Sequence, residues 1–222
     1  MKMQLRFVAG LAMLLALVLV PSGSFYLWQV WVYVTILAGS GLLILLYLRR
    51  HDPDLLRRRL EEKECVQEQK LFRRISGPLW IIGFVTSGLD HRYGWSSAFF
   101  GPVPISVTVF CDVLLLCAFY LIFRVLRFNT FASSTVQVEV GQRVISTGPY
   151  RIVRHPMYSG FVIMYCLTPF ALGSYAAVPI FFLLIPILLF RLVKEEKLLD
   201  HELPGYPDYR TQVRYRLIPY LL

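Results

Sequence analysis

STGPYRIVRHPMYSGF, residues 146–161, sets Arg151, Arg154 and His155 together with Tyr150 and Tyr158 directly before a long uncharged run. Pro156 has no backbone N–H to donate, yet proline is well tolerated in a first helical turn, and it biases the preceding His155 toward an extended backbone. The stretch therefore predicts a helix beginning at Pro156, where charge gives way to apolar sequence. A basic, aromatic edge at the head of an uncharged helix is the pattern a membrane surface selects.

The rest of the chain agrees. Its 222 residues are 56% hydrophobic and only 17% charged, with a mean hydropathy of +0.56, too apolar for an ordinary soluble domain. Crossing a bilayer takes roughly 20 mostly apolar residues, and candidate runs occupy residues 5–20, 25–48, 77–95, 104–127, 157–173 and 175–193. The expected fold class is all-α: a polytopic integral membrane helical bundle of about five to six spans, with the cytoplasmic connector and the C-terminal tail forming the functional site. Pro21, Ser22, Gly23 and Ser24 mark the tip of a first helical hairpin, and Gly173 and Ser174 the tip of the last. The third run is the weak one. Asp90, His91 and Arg92 interrupt it, and Gly83 and Gly88 lower its helix propensity, so a short or tilted helix is expected there. Lys2 and Arg6 ahead of an apolar run suggest a leader peptide, but no small-x-small cleavage site closes it, and a retained span is expected.

Six spans place all but one of the 23 Lys and Arg residues on one side, Arg92 being the exception. The positive-inside rule then puts both termini in the cytoplasm, of an inner membrane or of the endoplasmic reticulum. The net charge of +9 belongs to a surface facing anionic headgroups, so membrane lipids are expected as surroundings and nucleic acid is not expected as a partner. Cys65, Cys111, Cys117 and Cys166 have neither disulfide nor metal spacing, and His51, His91, His155 and His201 share no ligand motif, so no metal is expected. The sequence carries no signal for an oligomeric state.

Two connectors interrupt the runs. Residues 49–76 place Leu55, Leu56 and Leu60 at helical spacing among charges, which predicts an amphipathic helix on the membrane surface, with Arg58 and Glu62 as an i, i+4 pair. In residues 128–156, Val136, Val138 and Val140 alternate with Gln137 and Glu139, and Gly141 leads into Arg143, Val144 and Ile145, which predicts a short extended segment or hairpin. The tail, residues 194–222, interleaves Tyr206, Tyr209, Tyr215 and Tyr220 with Arg210, Arg214 and Arg216. That is too aromatic for a solvated end, and the tail is expected to fold back on the second connector.

A helix starting at Pro156 presents unpaired N–H groups and a positive dipole end, suited to a carboxylate or phosphate. The ring faces of Tyr150 and Tyr158 attract cations, and His155 exchanges hydrogen bonds. Such a place suits a ligand carrying both an anion and an organic cation, although an interfacial basic anchor has the same composition. Farther on, FRLVKEEKLLDHE, residues 190–202, sets Arg191 and Glu195 on one helix face at i, i+4. A salt bridge at a span end explains that pair as well.

TGPYRIVRHPMYSG, followed by RLVKEEKLL and GYPDYRTQVRYRLIP, closely resembles the isoprenylcysteine carboxyl methyltransferase family, its prokaryotic-type relatives included, a group related to phospholipid N-methyltransferases. The likeness covers roughly residues 124–220, dividing the chain into N-terminal transmembrane helices with their connector, 1–123, and a methyltransferase-like catalytic region, 124–222. The resemblance implies an S-adenosylmethionine site at the cytoplasmic helix ends. It implies cofactor contacts at Gln142, Arg143, Val144, Ile145, Tyr150, His155, Pro156, Met157, Tyr158 and Glu195, with Arg191 near the acceptor group and Arg191 and Glu195 as catalytic residues. Two departures stand out: ELPGYPDY where relatives often carry a Phe-Gly pair, and Gln142 where the family has His.

The implied chemistry suits the residues. Methyl transfer at a sulfonium is an in-line displacement that needs orientation and exclusion of water. A carboxylate acceptor is already ionised near neutral pH, so no strong base is required. A lipidic or prenylated acceptor, most simply a prenylcysteine α-carboxyl, can enter sideways from the bilayer; a phospholipid amine is the alternative acceptor. NADPH-dependent sterol or steroid reductases share an Arg-His-Pro-x-Tyr segment, but they usually carry Asn at the place of Met157 and an acid at that of Phe161. A scaffold without activity is the third reading.

Overall fold

The structure, a computed structural model, describes residues 2–60, 67–132, 138 and 141–220. Among them it is helical, with no strand. The six apolar runs form α1 (Lys2–Ser22), α2 (Trp28–His51), α4 (Gln67–Tyr93), α6 (Ile105–Phe128), α7 (Pro156–Ala171) and α8 (Val178–Glu202), and the shorter helices are α3 (Pro53–Leu60), α5 (Ser97–Phe100) and α9 (Tyr206–Gln212). Of these, α2 and α6 are long and apolar enough to cross a membrane. α7 begins at Pro156, as the proline predicts.

The chain divides into two compact units, each assembled from separated segments. The first comprises residues 1–41, 75–117 and 163–185. Its core is aromatic: Trp80 stacks on Phe84 at 5.3 Å and meets the rings of Tyr165 and Phe181 edge-on at 5.4 Å. Buried Tyr33 shares a 3.1 Å hydrogen bond with Thr168.

The third run differs from its expected form. α4 has 27 residues and starts ahead of the apolar stretch. Its glycines are places of close approach rather than weak points. A Cβ on Gly83 would come within 2.8 Å of the Phe181 ring, and one on Gly88 within 2.3 Å of the Val18 carbonyl oxygen. Nor does Asp90 break the helix. It lies in the last turn, 4% exposed, accepting from Ser96 N at 2.7 Å and from the hydroxyls of Ser96 and Ser174 at 2.6 Å. A carboxylate so supplied with donors is stable in burial. His91 Nε2 donates to the Leu172 carbonyl at 2.7 Å, which fixes the turn at Gly173, a residue with φ +73.

The second unit comprises residues 42–74, 118–162 and 186–222. Here the first connector forms α3. Pro53 opens it, Asp52 Oδ1 accepts from Leu55 N at 2.9 Å as a cap, and Leu55 is fully buried. Leu56 is partly buried and Leu60 exposed, so the expected apolar stripe is buried only in part. Glu62, the partner expected for Arg58, lies outside the described residues, as do Val136, Gln137, Glu139 and Val140 of the expected hairpin. Residues 142–146 have no regular structure. The tail folds back as expected: Arg154 N donates to Tyr215 O and His155 N to Arg216 O, both at 2.9 Å.

The close approach at Gly88 makes a direct prediction. Gly88→Ala will lower the thermal unfolding midpoint of detergent-solubilised protein, by a loss of about 1–3 kcal/mol for forcing a methyl into packed surroundings. Gly39→Ala, in α2 with nothing within 4 Å of its would-be Cβ, will leave the midpoint unchanged or raise it.

Candidate functional site

The approach to α7 is set by a glycine that nothing else can replace. Gly148 has φ +60, and a Cβ there would meet the Phe128 ring at 2.7 Å. It opens a single 3-10 turn, Gly148–Arg151, that brings Tyr150 inward. Asn129 Nδ2 donates to the Tyr150 hydroxyl at 2.8 Å, and the Tyr209 hydroxyl donates to the Tyr150 carbonyl at 2.7 Å. Burial pushes the Tyr150 phenol up to about 12, against the Asn129 hydrogen bond that pulls it down. Leu203, Tyr206 and Tyr209 form a buried cluster against which Val138, Val144, Tyr150, Leu199 and Val213 pack.

At the head of α7 two acids of α8 are held in different ways. Glu196 is 3% exposed and accepts from Arg154 Nε at 2.7 Å through Oε1 and from Arg216 Nε at 2.8 Å through Oε2. His155 Nε2 lies 3.7 Å from Oε1 and 3.4 Å from the Tyr206 hydroxyl. Arg154 also donates through Nη1 to the carbonyls of Val213 and Arg214 at 2.7 Å, and Ser159 Oγ donates to Leu217 O at 2.6 Å. Burial works to raise the Glu196 carboxyl, but His155 and Arg154 outweigh it and hold the group at about 2.

Glu195 faces elsewhere. The Tyr158 hydroxyl donates to its Oε2 at 2.5 Å, and Arg191, one turn earlier on α8, also reaches that hydroxyl. The Arg191 guanidinium lies over the Phe72 ring at 4.8 Å. Tyr158 is buried, its ring edge-on to His155 at 5.8 Å.

Of the residues singled out in the sequence, Tyr158, Glu195 and Arg191 thus meet directly, with His155 and Pro156 buried beside them. Tyr150 and Val144 are brought together on the tyrosine cluster. Met157, partly buried, contacts Arg59 of α3. Gln142 and Ile145 are partly buried, and Arg143 is exposed. Sequence reasoning missed Asn129, Arg59 and the Arg154–Glu196 pair. A second acid beside Glu195 was the signal for Glu196; the run Arg57-Arg58-Arg59 reads as ordinary surface charge.

The buried acid fixes an acid-side limit. Glu196 is depressed from an ordinary value of about 4.3 to about 2, so its contribution to stability is complete above the ordinary value and disappears as pH falls through the depressed one. Unfolding midpoints followed from pH 5 to pH 2 will fall more steeply for the parent than for Glu196→Gln, the two curves converging at the acid end.

Residues 107–201 match the model of the isoprenylcysteine carboxyl methyltransferase (ICMT) family. No curated protein matches the chain significantly. The matched segment contains Tyr150, the head of α7, Arg191 and both acids of α8, whereas α3, α9 and the docked tail lie outside it. That segment is less than half of the chain, and over it the sequence is similar to this family of methyltransferases.

Proposed function

We propose that the protein is an S-adenosylmethionine-dependent methyltransferase acting at the membrane interface on a lipidic acceptor carboxylate, most simply a prenylcysteine α-carboxyl. The observation that carries this reading is the meeting of Tyr158 with Glu195 and Arg191, which joins the start of α7 to the extension of α8. The apolar runs are the spans, about five to six of them and the last ending near residue 193, both termini are cytoplasmic, and residues 124–222 are the catalytic region.

The donor set suits such a cofactor. Glu195 is an acid of the sign a cationic ligand needs, and the rings of Tyr150 and Tyr158 offer faces to an organic cation. When bound, S-adenosylmethionine supplies an electrophilic methyl group on a sulfonium. Arg191 orients the acceptor carboxylate by charge-assisted hydrogen bonds. Glu195, positioned by Tyr158, balances positive charge on the opposite side. Tyr206, Tyr209 and the docked tail exclude water from the cytoplasmic side, which strengthens every charge interaction within. No proton has to move, because the acceptor is ionised before it binds.

The test uses purified protein, methyl-labelled S-adenosylmethionine, N-acetyl-S-farnesylcysteine and total membrane lipids. Label will appear in a base-labile methyl ester of the prenylcysteine. Label confined to a base-stable N-methyl lipid moves the activity to amine methylation, and binding of NADPH without S-adenosylmethionine replaces the reading with a reductase.

Arg191→Lys keeps a charge but loses the fork that grips a carboxylate. Steady-state assays will show a fall in kcat/KM of roughly 10- to 100-fold, the value of a hydrogen bond to a charged group. In calorimetric titrations, Glu195→Gln will weaken S-adenosylmethionine by a similar factor.

A further inference from the structure

Arg59 belongs to α3, ahead of the matched segment, yet it lies among that segment's residues. Its Nη1 donates to Ala132 O at 2.6 Å and stands 4.0 Å from Met157 Sδ. Met157 is the neighbour of Tyr158, which holds Glu195. Arg58 donates to Thr130 O at 2.6 Å, so successive arginines fasten α3 along residues 130–132, over the buried anchor of Leu55. Asn129, at the near end of that loop, holds the Tyr150 hydroxyl. The charges of Arg59 and Glu195 both act on Tyr150.

An attachment of α3 to a neighbouring loop asks for a cation no closer to the site than Arg58. Arg59 instead carries its charge past the loop to the first turn of α7, into burial that disfavours the charged form. A planar guanidinium fork matches a carboxylate better than any other side chain does.

We propose that Arg59 is a carboxylate-binding residue of the methyl-transfer site, contributed by a helix outside the family-matched segment. The inference rests on the methyltransferase reading, in which two ligands bring a carboxylate: the amino-acid end of S-adenosylmethionine and the α-carboxyl of the acceptor. Arg59 binds one of these beside Tyr150 and Met157.

The experiment is a set of calorimetric titrations on the full chain in phosphatidylcholine nanodiscs, comparing parent, Arg59→Gln and Arg59→Lys. The ligands are S-adenosylmethionine, its decarboxylated analogue, N-acetyl-S-farnesylcysteine and the corresponding carboxamide. Arg59→Gln will weaken one carboxylate-bearing ligand by roughly 10- to 100-fold and leave its carboxylate-free counterpart within about twofold, the margin of such a measurement. Arg59→Lys will fall between. Loss confined to S-adenosylmethionine identifies the cofactor as the source, and loss confined to the farnesylcysteine identifies the acceptor.

The inference is overturned if Arg59→Gln binds all the ligands as the parent does, or weakens each carboxylate and its counterpart alike, as loss of a mere attachment would. Should Arg59→Gln not fold, Arg59→Lys decides alone: unchanged binding of both carboxylates rejects the proposal, and selective loss of one supports it. A parent that binds neither nucleoside overturns the methyltransferase reading itself, whereas a parent that binds S-adenosylmethionine while Arg59 proves indifferent overturns only this inference.

Discussion

The second unit depends on the ion pair between Arg154 and Glu196. Arg154 is 7% exposed and Glu196 3%, and neither charge is tolerable there alone. Removing one partner of such a pair costs about 3–5 kcal/mol, because the other is left buried and uncompensated. The arrangement holds because both charges are well supplied: Arg154 reaches two tail carbonyls as well as the acid, and Glu196 takes a second arginine from the tail. One buried contact therefore fastens the approach to α7, the extension of α8 and residues 213–216 at a single point. Tyr158 lies four residues beyond Arg154, and Glu195 one before Glu196.

That adjacency explains why consecutive acids on α8 have separate work. Residues i and i+1 on a helix are about 100° apart and do not share a face. Glu196 faces the tail and is consumed by cations from outside α8. Glu195 faces Tyr158 and accepts from its hydroxyl, beside Arg191.

Much of the fold was legible because long apolar runs have few alternatives. Each of the six runs became a helix, and the hairpin tips fell at Gly23 and Gly173, both with positive φ. The third run reads as interrupted from its composition, whereas its helix is continuous through Tyr93. Propensity counts Gly83 and Gly88 as weakness, whereas their missing side chains let Phe181 and the Val18 carbonyl approach, and helix propensities yield to that kind of packing. Asp90 was likewise taken as an interruption because its donors, Ser96 and Ser174, lie in other parts of the chain. Among the residues brought together at the head of α7, Pro156 at a helix start and Arg191 and Glu195 at i, i+4 carry a local signature. Asn129 and Arg59 carry no such signature, since each acquires its place only when a distant turn folds against it.

This difference in legibility follows the difference between local and long-range contacts. The family-matched segment supplies Arg154, Tyr158, Arg191, Glu195 and Glu196, but it does not supply the groups that complete them. Arg216 and the carbonyls of Val213 and Arg214 come from the tail, as does Tyr206 beside His155. A carboxylate as buried as Glu196 would be a liability without Arg216, because its second oxygen would lose a charged donor. The site is accordingly a property of the whole second unit. The matched residues supply the facing charges, and the unmatched tail makes the burial of Arg154 and Glu196 energetically tolerable. Divergence in those outer segments is therefore bounded by charge: a replacement has to return a cation to Glu196 or remove the acid with it.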